Sequence, residues 1–359
     1  MSHWIFSEEH DMFRSSFKKM IRNEIESRIE NWEEDQLIPK WFIARLSELG
    51  LTGMTPDREK SMDEVMEAVL MEELAKTGAA GPALVLQEHN NAVSLLDRTN
   101  KSKLVPDFLS AALEGKRIGT TVAADPGDMT VKIKEGFFNL NGRLKNVRNG
   151  GMADFLILSF FDDDKSGFIT VDFASEGITV QKTENMLGWR SSSVSEVEFR
   201  NVKISTENLL CQGDEAEKQR RLINDQKRIT WSLICTGIAE KALEAAVSYS
   251  RTRQQFGSAL SEFQSLRHKM ADMALNLEKS RNMTYRAVYD SIYNIDSFQR
   301  QIVLEEAVSM ALHVCDEALQ IHGGAGYMME FPVQRFWRDT KMFDLHLNNI
   351  PAEKVVMSL

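Results

Sequence analysis

The sequence predicts an α+β protein built in three successive parts: helices, then short strands, then a helical bundle. Two observations predict this order. The hydrophobic period changes from helical to alternating at about Gly119, and it changes back after Asn208. A third, 359 residues with 43% hydrophobic content, allows a large core divided among two or three domains.

Ser7 reads as an N-cap, with Glu8 and Glu9 in the first turn and Phe13, Phe17, Met20 and Ile21 at helical spacing behind it. Helical patterning continues over Trp41 to Leu49, Ser61 to Thr77 and Lys103 to Leu113, with Pro39, Pro56, Pro82 and Pro106 as breaks. In the middle part Thr130 to Lys134 alternates, and Phe155 to Leu158 is a continuous apolar run. Phe168 to Val171, Ile178 to Val180 and Glu196 to Phe199 follow at strand length, separated by Asp, Gly, Asn or Ser clusters. Such a series predicts a small antiparallel β-barrel or sandwich. Beyond it, Phe263, Leu266, Met270, Met273 and Leu277 step by three and four. Val303, Ala307, Met310 and Val314 do the same, as the seam of a bundle requires. The methionines in this stripe read as core packing.

Composition excludes several classes. A net charge of -10 argues against a nucleic-acid binder, which needs clustered Lys and Arg for phosphate contacts. No apolar run is long enough to span a bilayer. The start, Met1 to Phe6, has no basic region followed by an apolar stretch, so a secretory signal is not expected and a cytoplasmic location is the default. Cys211, Cys235 and Cys315 have no metal-ligand spacing and fit buried, reduced thiols. No His follows a Glu by three residues, so a di-iron bundle is unsupported.

Two strings carry chemistry. Arg253-Gln254-Gln255-Phe256-Gly257 is followed by Phe263-Gln264, and about sixty residues later comes Gln320-Ile321-His322-Gly323-Gly324-Ala325-Gly326-Tyr327 with Arg335-Phe336-Trp337-Arg338-Asp339. An arginine offers a planar donor fork suited to phosphate oxygens, and glycines let backbone N–H groups approach a phosphate closely. Alone, Arg253 would read as a solvated helix charge and Gly323, Gly324 and Gly326 as a helix C-cap and turn. The glycines are not a Rossmann fingerprint, since Met329 stands where its third glycine would fall and no strand precedes them.

Together, with matching flanks at this separation, the two strings resemble the C-terminal signature of the acyl-CoA dehydrogenase family. Met186 to Ser192, Val197 to Val202 and Glu207 to Leu210 extend the resemblance over essentially the whole chain. It implies the acyl-CoA dehydrogenase fold: an N-terminal helical domain at residues 1–117, a middle β-domain at 118–212 and a C-terminal four-helix bundle at 213–359. It also implies FAD as cofactor, an acyl-CoA thioester as substrate, and α,β-desaturation as the reaction. Arg253, Gln255, Phe256, Gln264, Gln320, Gly323 and Gly324 are the FAD-binding positions so implied, and Arg228 the substrate-binding one.

The departures fall on the reacting half of the site. Leu347 stands where the family carries its catalytic glutamate. Lys227, ahead of Arg228, stands where some relatives carry the base instead, and an ordinary lysine is protonated. Asp344, His346 and Glu353 are nearby substitutes in sequence. The donors that face the flavin ring are replaced by Ala124-Asp125-Pro126-Gly127-Asp128, and the Trp-Ile-Thr run by Asn146-Val147-Arg148. Removing an α-proton from a thioester needs a positioned base and donors on the carbonyl, and loss of the base costs about two to four orders of magnitude.

In homotetrameric relatives the two signature strings reach across to a neighbouring subunit's ADP half. This chain keeps what it would give and lacks what it would use itself, as in the degenerate subunits of heteromeric (α2β2) enzymes such as those of bacterial steroid side-chain degradation. The first expectation is therefore a half-site subunit paired with a complete paralogue, with an electron-transfer flavoprotein as a candidate acceptor. A self-sufficient homotetrameric flavoenzyme with altered chemistry or acyl carrier is the second, and a flavin-free scaffold the third.

Overall fold

The computed structural model describes residues 4–53, 63–99, 105–123, 128–162, 165–183 and 185–347. Pro56, the expected helix starts at Ser61 and Lys103, the run Ala124 to Gly127, and Asn348 onward including Glu353 lie outside these residues.

Helix α1 (Glu8–Glu24) begins where Ser7 predicts, with the Ser7 side chain accepting the His10 N–H. Helices α2 (Ile29–Asp35), α3 (Trp41–Glu48), α4 (Glu64–Ala75), α5 (Gly81–Arg98) and α6 (Val105–Leu113) follow. Pro82, expected as a break, lies in the first turn of α5, where its missing N–H has no intrahelical partner to lose.

Eight strands form two four-stranded sheets. One runs β1 (Gly119–Ala123), β4 (Phe155–Asp162), β5 (Lys165–Asp172), β8 (Leu209–Gln212). The other runs β2 (Met129–Lys134), β3 (Phe137–Val147), β7 (Ser195–Ser205), β6 (Ile178–Lys182). They face each other as an open sandwich rather than a closed barrel, and Phe138 meets Phe160 across the gap at 5.4 Å between ring centres. All pairings between these strands are antiparallel except β1 with β4, which run parallel because the chain crosses through the second sheet between them. The outer face of the first sheet packs Phe155, Ile157 and Phe168 against Ala92, Val93 and Leu96 of α5. Burial on both faces is why Phe155 to Leu158 is apolar without alternation.

The last part is α7 (Asp214–Thr252), α8 (Gln264–Ile292), α9 (Phe298–His322) and α10 (Val333–Leu347). Val303, Ala307, Met310 and Val314 are all buried in its seam, which merges with α3, α4 and α5 into one large core. One carboxylate ties the three parts together. Asp339 of α10 accepts the backbone N–H of Ala80 ahead of α5 at 2.8 Å and that of Trp189 ahead of β7 at 2.7 Å.

Candidate functional site

Two sites emerge, a cleft at the helix ends and a pocket with a buried charged floor. The first forms where α7 and α9 end. After Thr252 the chain turns into a two-stranded hairpin, β9 (Gln254–Gln255) and β10 (Ser258–Ala259), with Phe256 at φ 53° and Gly257 at φ 85° in its tip. Helix α9 ends at His322, and Gly323 takes φ 57°, a left-handed conformation that costs glycine little. A cleft of about 660 Å³ lies between the two ends, lined by Tyr249, Arg253, Gln255, His322, Gly323 and Gly324 among others. A Cβ on Gly324 would meet nothing within 4 Å, so its backbone borders open space. At Gly326 a Cβ would fall 2.7 Å from the Leu319 carbonyl oxygen, so that glycine serves packing instead. The His322 ring stacks on Tyr249 at 4.3 Å, and its Nδ1–H donates to the Ala318 carbonyl at 2.7 Å. Burial lowers its pKa.

The structure therefore brings Arg253, Gln255, Gly323 and Gly324 together from the two sequence strings. Phe256, Gln264 and Gln320 are exposed beside this cleft but do not line it, and Phe256 is 95% exposed.

The second site is a pocket of about 220 Å³ between α5, α7 and the β1–β4 sheet, lined by Lys227, Asn146 and Arg148 among others. A bulge in β3 sets Asn146 at φ 55°, which turns the chain so that Arg148 enters the interior. The Arg148 guanidinium pairs with Glu88 of α5, Nε donating to Oε1 at 2.7 Å and Nη2 to the same oxygen. The other Glu88 oxygen accepts the Thr121 hydroxyl at 3.0 Å. Arg148 also lies 5.8 Å from the Trp189 ring centre and 5.6 Å from that of Trp231. Lys227 sits with Nζ 4.2 Å above Trp231. Burial first, then the Arg148 charge, lower its pKa to about 8, against the pull of Glu88.

Of the positions near the family's base, His346 reaches this cluster: it lies 4.7 Å from the Trp189 ring, and its Nδ1–H donates to the Met342 carbonyl at 2.7 Å. Burial lowers its pKa, and Arg148 and Lys227 add to the shift. Leu347 is half-buried against the helical core. Asp344 is near the surface with Lys341 at 3.9 Å. Arg228 does not enter the cavity: its Nη1 donates to the Gln301 carbonyl and to Glu305 at 3.3 Å, which fastens α7 to α9.

Sequence reasoning missed Glu88 and the role of Trp231. The signal was present in Gln87-Glu88-His89-Asn90-Asn91, a polar run directly after Leu84-Val85-Leu86. Every residue of that run is buried, and buried polar groups are the informative ones.

Residues 224–345 match the family model for the acyl-CoA dehydrogenase C-terminal domain, and residues 7–115 that for the N-terminal domain. A short-chain specific acyl-CoA dehydrogenase of Megasphaera elsdenii is 32% identical over 340 residues, covering 86% of each chain. One from Clostridium acetobutylicum is 27% identical, over 98% of this chain and 97% of its own. Among solved structures, butyryl-CoA dehydrogenase of Megasphaera elsdenii superposes with a TM-score of 0.88 at 26% identity, covering 99% of this chain and 100% of that one. Glutaryl-CoA dehydrogenase of Mycobacterium smegmatis in complex with FADH2 shares the fold, with a TM-score of 0.88 at 18% identity over 97% of this chain and 95% of its own. Both end domains and nearly the full length thus agree: the chain belongs to the acyl-CoA dehydrogenase family of oxidoreductases.

Proposed function

We propose that this chain is the half-site subunit of a heteromeric acyl-CoA dehydrogenase. In this α2β2 assembly a complete paralogous subunit holds FAD, the catalytic base and the acyl-CoA thioester, and this chain supplies the surface that grips the ADP half of that FAD. Its working domains are residues 1–117, 118–212 and 213–359. The observation that carries the reading is a contrast between the two sites. The Arg253 cleft is open and exposed, whereas Arg148 is drawn inside and held by Glu88 where the family resemblance implies a hydroxyl toward the flavin ring.

The cleft fits the proposed role. An exposed guanidinium at Arg253 and the open backbone at Gly323 and Gly324 suit a pyrophosphate. FAD, when bound, supplies the hydride acceptor. The residues of this chain neutralise and position its phosphates from outside the reacting centre. Phe256, at the tip of the hairpin, is presented to the subunit that carries the cofactor.

Flavin stoichiometry tests the proposal. The purified chain should carry essentially none, and the complex with a complete paralogue should carry flavin at one site per pair. One flavin per chain in the homo-oligomer would favour the self-sufficient enzyme instead, and none in any assembly would favour a scaffold.

A further inference from the structure

The cavity around Lys227 holds more positive charge than its own acid can balance. Both oxygens of Glu88 are occupied, one by Arg148 and the other by Thr121. Arg220, also in the wall, is paired with Glu217 and donates to Ser159 at 2.9 Å. Lys227 has no hydrogen bond or ion pair among the described residues. Asn91 adds a second observation. It is only 8% exposed, yet its amide has no hydrogen-bond partner among the described residues and lines the same cavity.

We propose that this cavity binds a small organic carboxylate, its anionic head on the Lys227 ammonium and the Asn91 amide and its carbon body against Val122, Phe168 and Ile223. An ammonium over an indole, flanked by an already paired guanidinium, is an electropositive pocket in which a carboxylate gains both a charge partner and donors. The three apolar side chains in the wall favour an organic anion over free phosphate. The site is separate from the Arg253 cleft, and its occupancy is read on the chain without flavin or partner, so it stands or falls independently of the half-site reading.

The test is isothermal titration of the purified full-length chain with butyrate, succinate and inorganic phosphate. Saturable binding of a carboxylate is expected, weakened at least about tenfold in Lys227→Met and retained in Lys227→Arg, with phosphate much weaker. Far-UV circular dichroism checks that both variants fold. The proposal is overturned by carboxylate binding that Lys227→Met leaves unchanged, by phosphate binding as tightly as butyrate, or by the absence of saturable binding for every probe.

Discussion

Asp339 and Trp189, 150 residues apart, are joined by a buried 2.7 Å hydrogen bond from the Trp189 N–H to the Asp339 carboxylate. The second oxygen takes the Ala80 N–H, so a single side chain closes three segments of the chain on one another. Burial and the neighbouring Glu33 push the Asp339 pKa up. The aspartate that closes the second sequence string is therefore a structural clamp.

Asp339→Ala should cost about 2–4 kcal/mol, because two buried N–H groups lose their acceptor. Asp339→Asn should cost nearly as much, since its amide can offer an oxygen to only one of them. Urea unfolding measures both, and an Asn variant as stable as wild type would contradict the clamp.

Arg148→Met should destabilise by about 3–5 kcal/mol by leaving Glu88 charged and unpaired in the interior. Adding Glu88→Gln should restore much of the loss. Strictly additive losses in the double variant would show that the two side chains are not coupled.

Arg253→Ala should strip flavin from the assembled complex while leaving the fold and the assembly intact, because the Arg253 side chain is exposed. Absorbance at flavin wavelengths after gel filtration gives the answer. Unchanged flavin content would remove the half-site role.

The isolated chain should reduce an artificial acceptor with acyl-CoA thioesters at a negligible rate, and Leu347→Glu alone should rescue little. Arg148 and Asn146 are also altered, and groups that act together do not contribute additively. Robust turnover by a flavin-loaded homo-oligomer would sink this expectation and make His346 the next group to replace.

The contribution of His89 to stability should fall as the pH drops below 6.5. His89 is buried, with Nδ1 accepting the Gly119 N–H at 3.2 Å and Nε2–H donating to the Ala112 carbonyl at 3.1 Å. Burial depresses its pKa from 6.5 to about 4. Between those values the unfolded chain takes up a proton that the folded chain refuses. The stabilisation is complete above 6.5 and declines by on the order of 3 kcal/mol toward pH 4. The raised Asp339 pKa acts in the opposite direction over the same range, so calorimetry from pH 7 to 4.5 compares wild type with His89→Gln, and an identical pH dependence in the two would contradict it.

Periodicity made α1, α3, α9 and the middle strands β2, β4, β5, β6 and β7 legible, because each of those patterns has one dominant face or one uniform environment. Helix α5 was not legible: it is buried on all sides, so it lacks an amphipathic stripe, and Pro82 near its start reads as a break. Strand β3 was hidden by Asn139, Asn141, Gly142 and Asn146, which accommodate two register shifts against β7. The open cleft could be anticipated because its residues lie in two compact strings. The second cluster could not, since Glu88, Arg148, Trp231 and His346 come from four distant segments and meet only after folding.

Phe256 at 95% exposure, with Tyr327 at 79% and Met329 at 67%, has a consequence for how the protein is produced in the cell. Copies made in excess of whatever covers these side chains display apolar handles that favour self-association and attract chaperones and proteases. If the proposed partner subunit covers them, abundance of the chain should track that of the partner, with balanced synthesis protecting it and overproduction alone giving aggregates.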